Sequence, residues 1–309
     1  MRTARLIVNP KATTTSARTR DVLIHALGSD LTLEVTETTH RGHARTLAMQ
    51  AVATGVDLVV ALGGDGTVNE IVNGLLADGP AATLPQFALV PGGSTNVFAR
   101  AVGLSDDQVE ATGQILEALR EGRSRRIGLG RADDRWFTFT AGLGLDAEVV
   151  AAVEERRAQG RRSTHSLYVR AAVGRFFGGT ERRVGPLTLD LPGQDPLAHL
   201  FLVLVGNTSP WTFLGRLRVD PFPDASFDAG LDVIALSRMG VASTLLAAGQ
   251  ILTPNGQVPG GRSVVHRHDV EEFTVSATHP VAFQVDGDYL GVRSHVTFRS
   301  VPEALDVVV

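Results

Sequence analysis

Between residues 57 and 77 the chain makes an abrupt change of character. The apolar run Asp57-Leu58-Val59-Val60-Ala61-Leu62 breaks into Gly63-Gly64-Asp65-Gly66-Thr67-Val68-Asn69-Glu70, and amphipathic text follows to Ala77. A short apolar run bounded by glycines predicts a buried strand, and the stretch from Thr67 predicts a helix. Residues without a Cβ let backbone N–H groups approach an anion, and the start of a helix adds the positive end of its dipole. The carboxylate of Asp65 repels a bare phosphate in such a turn; the partner that suits it is a Mg²⁺ ion arriving with a nucleotide. Strand, turn and helix together point to nucleotide-dependent phosphoryl transfer.

The surrounding text says what kind of sheet holds this strand. Apolar runs at 4–8, 31–35, 57–62 and 86–90 alternate with helical stretches at 16–28, 42–54, 67–77 and 94–121. That alternation predicts parallel βαβ units, whose ligands bind at loops following the strand C-termini. Three such loops carry notable residues: Asn9-Pro10-Lys11-Ala12-Thr13, the glycine-rich turn, and Pro91-Gly92-Gly93-Ser94-Thr95-Asn96. From about residue 129 period-two runs take over, including 136–139, 187–191, 199–205, 231–236, 273–277 and 281–285, with helical interludes at 143–178 and 240–252. The expected fold is therefore α/β plus β. An N-terminal nucleotide-binding domain over 1–128, rejoined by a strand-like end at 296–309, is followed by a largely antiparallel domain over 129–295.

Composition narrows the function classes. There are no cysteines, which excludes disulfides, thiolate catalysis and Cys-ligated metal. No run reaches the roughly 18 apolar residues of a membrane span, and the first residues enter a strand without a signal-peptide core, so the expected location is cytoplasmic. A net charge of −4 argues against general nucleic-acid binding. Lys11 is the one lysine among 29 basic residues. It follows Asn9-Pro10, where a compact ammonium suits a phosphate, although a plain solvent-exposed lysine explains it equally well.

With these residues in view, the sequence resembles the diacylglycerol kinase catalytic family, the bacterial lipid kinases that are also similar to sphingosine kinases. Asn9-Pro10, GGDGTVNE at 63–70 and PGGSTNVFARAVGL at 91–104 carry the resemblance. It implies an ATP site in a cleft between an α/β domain and a β-sandwich-like domain, with Mg²⁺ as cofactor and a membrane lipid as acceptor. Carried over by position, the nucleotide contacts are Asn9, Pro10, Lys11, Ala12, Thr13, Thr38, Gly63, Gly64, Asp65, Gly66, Thr67, Val68, Asn69, Glu70 and Ser94. Ser94 would serve equally as a helix N-cap. The family's general base lies in a D-G-E turn, matched by Asp286-Gly287-Asp288. Asp288 is the better match and Asp286 stays open, while Asp-Gly between two apolar runs also reads simply as a type I′ hairpin.

Two departures stand out. Val97 replaces an acid frequent in the family's second glycine-rich segment, and the accessory metal motif is shortened to 225–232, leaving Asp228 as its candidate ligand.

Other features carry alternative readings. Eight arginines within 156–183, with Tyr168, Phe176 and Phe177 interleaved, suit a peripheral membrane-surface contact or a solvated basic helix. The Trp211-Thr212-Phe213 loop is a lipid portal if exposed and core if buried. His266 and His268, alternating on one strand, read as surface residues rather than metal ligands. The expected activity is transfer of the ATP γ-phosphoryl to a lipid hydroxyl, diacylglycerol first. The rivals are a soluble-metabolite kinase akin to NAD kinases and a nucleotide-binding lipid sensor without catalysis. No feature of the sequence encodes the oligomeric state.

Overall fold

The computed structural model describes residues 1–12, 16–158, 184–214, 217–238, 249–250 and 257–309. Most of the arginine-rich stretch and of the expected helix at 240–252 lies outside the described residues, as does Thr13. The chain divides into two compact units, one of residues 1–129 with 302–309, the other of 130–301.

In the first unit β1 (Arg2–Val8), α1 (Ala17–Gly28), β2 (Leu31–Glu37), α2 (His43–Thr54), β3 (Leu58–Gly63), α3 (Asp65–Leu75) and β4 (Gln86–Pro91) follow in strict alternation, then α4 (Val97–Ala101) and α5 (Gln108–Glu121). The strands are parallel in the order β4-β3-β1-β2. Every residue of β3 is buried, the pattern of a central strand with both faces covered. Burying one of its Val or Leu side chains stabilises the fold by roughly 1.5–3 kcal/mol. The last residues of the chain complete this sheet: Val307 pairs in parallel with Phe87, and the Val308 N–H donates to Phe87 O at 2.9 Å.

Two helix boundaries differ from the sequence expectation. α3 starts at Asp65 rather than Thr67, because Gly64 takes the N-cap position and its carbonyl accepts from the N–H groups of Thr67 and Val68 at 2.9 and 3.1 Å. The helical text of 94–121 is two helices. Gly103, at φ +89°, ends the first, and Asp107 starts the second by accepting from Val109 and Glu110 N–H.

The second unit is built from β5 (Arg125–Ala132), β6 (Arg135–Phe137), β7 (Thr140–Gly144), α6 (Leu145–Ala158), β8 (Leu187–Asp190), β9 (Leu197–Leu200), β10 (Leu202–Gly206), β11 (Thr212–Leu214), β12 (Leu217–Val219), β13 (Leu231–Leu236), β14 (Val264–Val270), β15 (Glu272–Val285) and β16 (Asp288–Val307); β5 enters it from the first unit and β16 leaves it at residue 302. Its pairing is antiparallel, in the order β14-β13-β10-β7-β15-β16. β15 pairs with β16, with a register shift between Ser276 and Val281, and also with two other strands in turn, residues 274–277 with β8 and 283–285 with β7. The resulting core is aromatic at its centre, where Phe298 stacks on Phe273 at 5.1 Å and meets Phe137 edge-on at 6.3 Å. The fold is an α/β unit with a parallel sheet plus an antiparallel β-rich unit.

Candidate active site

In the first unit the parallel order brings the C-terminal ends of β1, β2, β3 and β4 side by side, and with them the loops singled out in the sequence. The backbone stitches them together. Asn9 N–H donates to Leu62 O at 2.9 Å, Thr38 N–H to Val8 O at 2.8 Å, and Gly92 N–H to Gly63 O at 2.8 Å. The Asn9 side chain organises its own loop, with Nδ2 donating to Thr67 Oγ1 at 3.0 Å and Oδ1 accepting from Lys11 N–H at 3.0 Å. Pro10 and Lys11 are exposed at the tip of that turn, and Ala12 N–H closes it onto Asn9 O at 3.0 Å.

The acids of the glycine-rich turn are engaged in a way the sequence did not reveal. The two oxygens of Asp65 accept from Val97 N–H and Phe98 N–H, both at 3.1 Å. The N-cap residue of α4, Asn96, sits at φ +49° and gives no cap bond of its own; its Oδ1 instead accepts from Gly93 N–H at 2.8 Å. Asp65 thus caps α4 from 32 residues upstream. Glu70 does the same for α2, accepting from Gly42 N–H at 2.8 Å and Ala44 N–H at 3.2 Å where Gly42, at φ +86°, has no side chain to offer. One helix, α3, supplies the caps of two others.

The expected nucleotide contacts therefore divide. Gly64 and Asp65 are half-buried and Gly66 is exposed, all at the start of α3, whose leading N–H groups have no intrahelical acceptor. Thr67, Val68 and Asn69 are buried, Thr67 Oγ1 takes the Asn9 amide, and Asn69 Oδ1 takes Asn73 Nδ2 at 3.2 Å. Those side chains are committed to the protein. Ser94 is exposed and does not cap α4, a correction to the alternative role expected for it.

In the second unit the Asp286-Gly287-Asp288 segment is a two-residue hairpin joining β15 to β16, with Val285 paired to Asp288 and both Asp286 and Gly287 at positive φ, +48° and +79°. Asp286 is buried, and its carboxylate accepts four hydrogen bonds: Thr138 N–H and Thr138 Oγ1 at 2.8 Å, Phe139 N–H and Thr140 N–H at 3.0 Å. Burial pushes its pKa up, against the pull of those donors. Such a carboxylate is a structural clamp, so Asp286 is poorly suited to take a proton from a substrate. Asp288 is half-buried at the head of β16.

Trp211 is half-buried, packs with Leu204, Phe222, Ala225 and Ile234, and donates its indole N–H to Thr140 Oγ1 at 3.1 Å. His266 and His268 are not simple surface residues. His268 Nδ1 lies 2.7 Å and His266 Nε2 3.8 Å from the carboxylate of fully buried Asp232, whose pKa burial raises and His268 pulls down. Asp228 is exposed, its N–H donating to Ser226 Oγ at 3.2 Å. Among the described residues no three His or acidic side chains stand together as a metal cage. The carboxylates of Asp65 and Asp228 are hard oxygen donors, the ligand type that a Mg²⁺ ion would take.

Residues 3–132 match the family model of the diacylglycerol kinase catalytic domain. A diacylglycerol kinase of Bacillus subtilis (strain 168) is 26% identical over 264 residues, covering 82% of this chain and 78% of that protein. One from Staphylococcus aureus (strain bovine RF122 / ET3-1) is 25% identical, covering 98% and 91%. A solved structure of a putative diacylglycerol kinase from Bacillus anthracis str. Sterne has the same fold, with TM-score 0.75, 21% identity and coverage of 99% and 97%. The chain is a phosphotransferase that acts on an alcohol group.

Proposed function

We propose that this protein transfers the γ-phosphoryl group of ATP, with Mg²⁺, to the free hydroxyl of diacylglycerol, giving phosphatidic acid. The observation that carries the reading is the family match over the unit holding the Gly63–Thr67 turn, a glycine-rich strand-to-helix junction suited to polyphosphate. Backbone N–H groups at the start of α3 bind the phosphates, and Lys11 at the exposed tip of its turn adds a point charge. A Mg²⁺ ion held through Asp65 would supply positive charge to offset that of the phosphates.

Asp288 accepts the proton of the lipid hydroxyl as its oxygen bonds to the γ-phosphorus and the bond to the β-phosphate oxygen breaks, with ADP leaving. Asp286 holds the hairpin from which Asp288 projects. The protein works at the inner face of the cytoplasmic membrane, where its acceptor resides.

The acceptor is tested by offering purified protein labelled ATP with Mg²⁺ and, in separate detergent-micelle reactions, diacylglycerol, a sphingoid base, ceramide and a long-chain alcohol, beside NAD⁺ in plain buffer. Label is expected in phosphatidic acid above all others. Label in another lipid replaces the acceptor, label in NADP⁺ makes the protein a soluble-metabolite kinase, and ATP binding without transfer makes it a sensor.

A further inference from the structure

The hairpin bearing Asp288 is tied down at more than one point, and one of the ties runs through two residues that the reaction as written does not use. Gln284, 1% exposed, accepts from Gly287 N–H through Oε1 at 3.0 Å and donates from Nε2 to Asp146 Oδ2 at 2.8 Å. Asp146 lies in the first turn of α6. Its carboxylate folds back over β7 at Gly142, which is the Cα partner of Gln284 in the β7–β15 pairing. The space is reserved: a Cβ on Gly142 would fall 2.6 Å from Asp146 Oδ2 and 3.1 Å from Gln284 Nε2. On the far side of the turn Tyr289 N–H points to Glu154 Oε1 at 3.4 Å. The residues on either side of Asp288 thus have their backbone N–H groups held by side chains, and that of Gly287 is held by a buried amide whose own orientation depends on Asp146.

A buried amide is ambiguous by itself, because its oxygen and nitrogen can exchange places at little cost in shape. Here a carboxylate on one side demands a donor and an N–H on the other demands an acceptor. Only one orientation satisfies both, and the wrong one leaves two buried polar groups facing like partners. We infer that Gln284, oriented by Asp146, is a positioning residue that fixes the 286–288 turn and thereby the carboxylate of Asp288. The inference rests on Asp288 being the base of the proposed reaction. It assigns Gln284 and Asp146 no contact with ATP.

The test compares steady-state transfer to diacylglycerol in mixed micelles for wild type, Gln284→Ala, Gln284→Glu, and Gln284→Glu combined with Asp146→Asn. Hydrogen exchange at the Gly287 amide is followed in the same four proteins. Gln284→Ala should lower kcat by about 10- to 100-fold, the scale of a misplaced catalytic group, with the KM for ATP unchanged within about twofold. Gln284→Glu sets two carboxylates face to face and should be as poor. Adding Asp146→Asn reverses the polarity of the pair, letting the amide introduced on α6 donate to the carboxylate introduced on β15, and should recover most of kcat and the slow exchange of Gly287.

A Gln284→Ala protein with wild-type kcat, or a paired variant no better than Gln284→Glu alone, overturns the inference. Should Gln284→Ala fail to fold, the two variants carrying Gln284→Glu still decide. If wild type transfers phosphate to no lipid, the proposed reaction falls, and the exchange measurement judges the positioning separately: slow Gly287 exchange lost in Gln284→Glu and regained in the pair upholds it, and equal exchange in all four overturns it.

Discussion

Gly64 and Gly93 meet Cα to Cα: a Cβ built on Gly93 would lie 2.8 Å from the Gly64 Cα, and one built on Gly64 would lie 3.0 Å from the Gly93 Cα. The two glycine-rich segments of the first unit are packed backbone on backbone, which no other residue pair permits. Gly93→Ala should therefore destabilise the fold by about 1–3 kcal/mol through overpacking. Because the strain falls on the turn proposed to hold the phosphates of ATP, ATP affinity should fall as well. Thermal melting and an ATP titration check both, and an unchanged melting temperature contradicts the contact.

Glu70→Ala removes the cap of α2 and leaves the Gly42 and Ala44 N–H groups without their carboxylate. Loss of a cap costs about 0.5–2 kcal/mol. The expected result is a lower denaturation midpoint with an unchanged slope, read from urea unfolding. Glu70→Gln keeps one acceptor oxygen and should recover part of the loss.

Asp286 and Asp288 should separate cleanly. Asp286→Ala strands the backbone N–H groups of Thr138, Phe139 and Thr140 in the interior, each costing about 1–3 kcal/mol, and should yield little folded protein. Asp288→Asn should melt like wild type. Circular dichroism melts of both decide, and equal stability of the two variants contradicts the division of labour drawn here.

Burial pushes the Asp146 carboxyl up from its ordinary 3.8 to about 6, restrained by the Gln284 amide. The folded state then binds its proton more tightly than the unfolded chain does. The stability this contributes is fully present below about pH 4 and is lost as pH rises through about 6. Asp146→Asn has no such proton, so the difference in unfolding free energy, wild type minus Asp146→Asn, should decline across that window and level off above it. Urea unfolding at several pH values measures the difference, and a flat difference removes the perturbed group.

Much of the first unit is written locally in the chain. The alternation of apolar runs with helical text marks its parallel strands, and Gly63–Thr67 marks the strand-to-helix junction, because both depend on neighbours in sequence. What acts over distance is hidden. Asp65 looks like a metal ligand in isolation, and its role as a cap depends on Val97 and Phe98, which only the parallel order of β3 and β4 brings near.

The same holds in the second unit. Asp286 announces a hairpin through Asp-Gly, while its donors lie 146 to 148 residues away. Gln284 reads as one polar residue in an apolar strand and Asp146 as one acid at a helix start. Their signal was indirect, in Gly142, which leaves space beside that acid. His266 and His268 alternate correctly for one face, but the buried Asp232 opposite them could not be inferred from spacing.

Whether Asp288 drives phosphoryl transfer from ATP to diacylglycerol is decided by one experiment. Labelled phosphatidic acid formed by wild type and by Asp288→Asn is followed at saturating ATP and Mg²⁺, with ATP binding measured on both proteins. Wild type should transfer label, and Asp288→Asn should lose at least about 100-fold at undiminished ATP binding, the range of a missing general base. Transfer that persists in Asp288→Asn, or a wild type that binds ATP and labels no diacylglycerol, would contradict the mechanism.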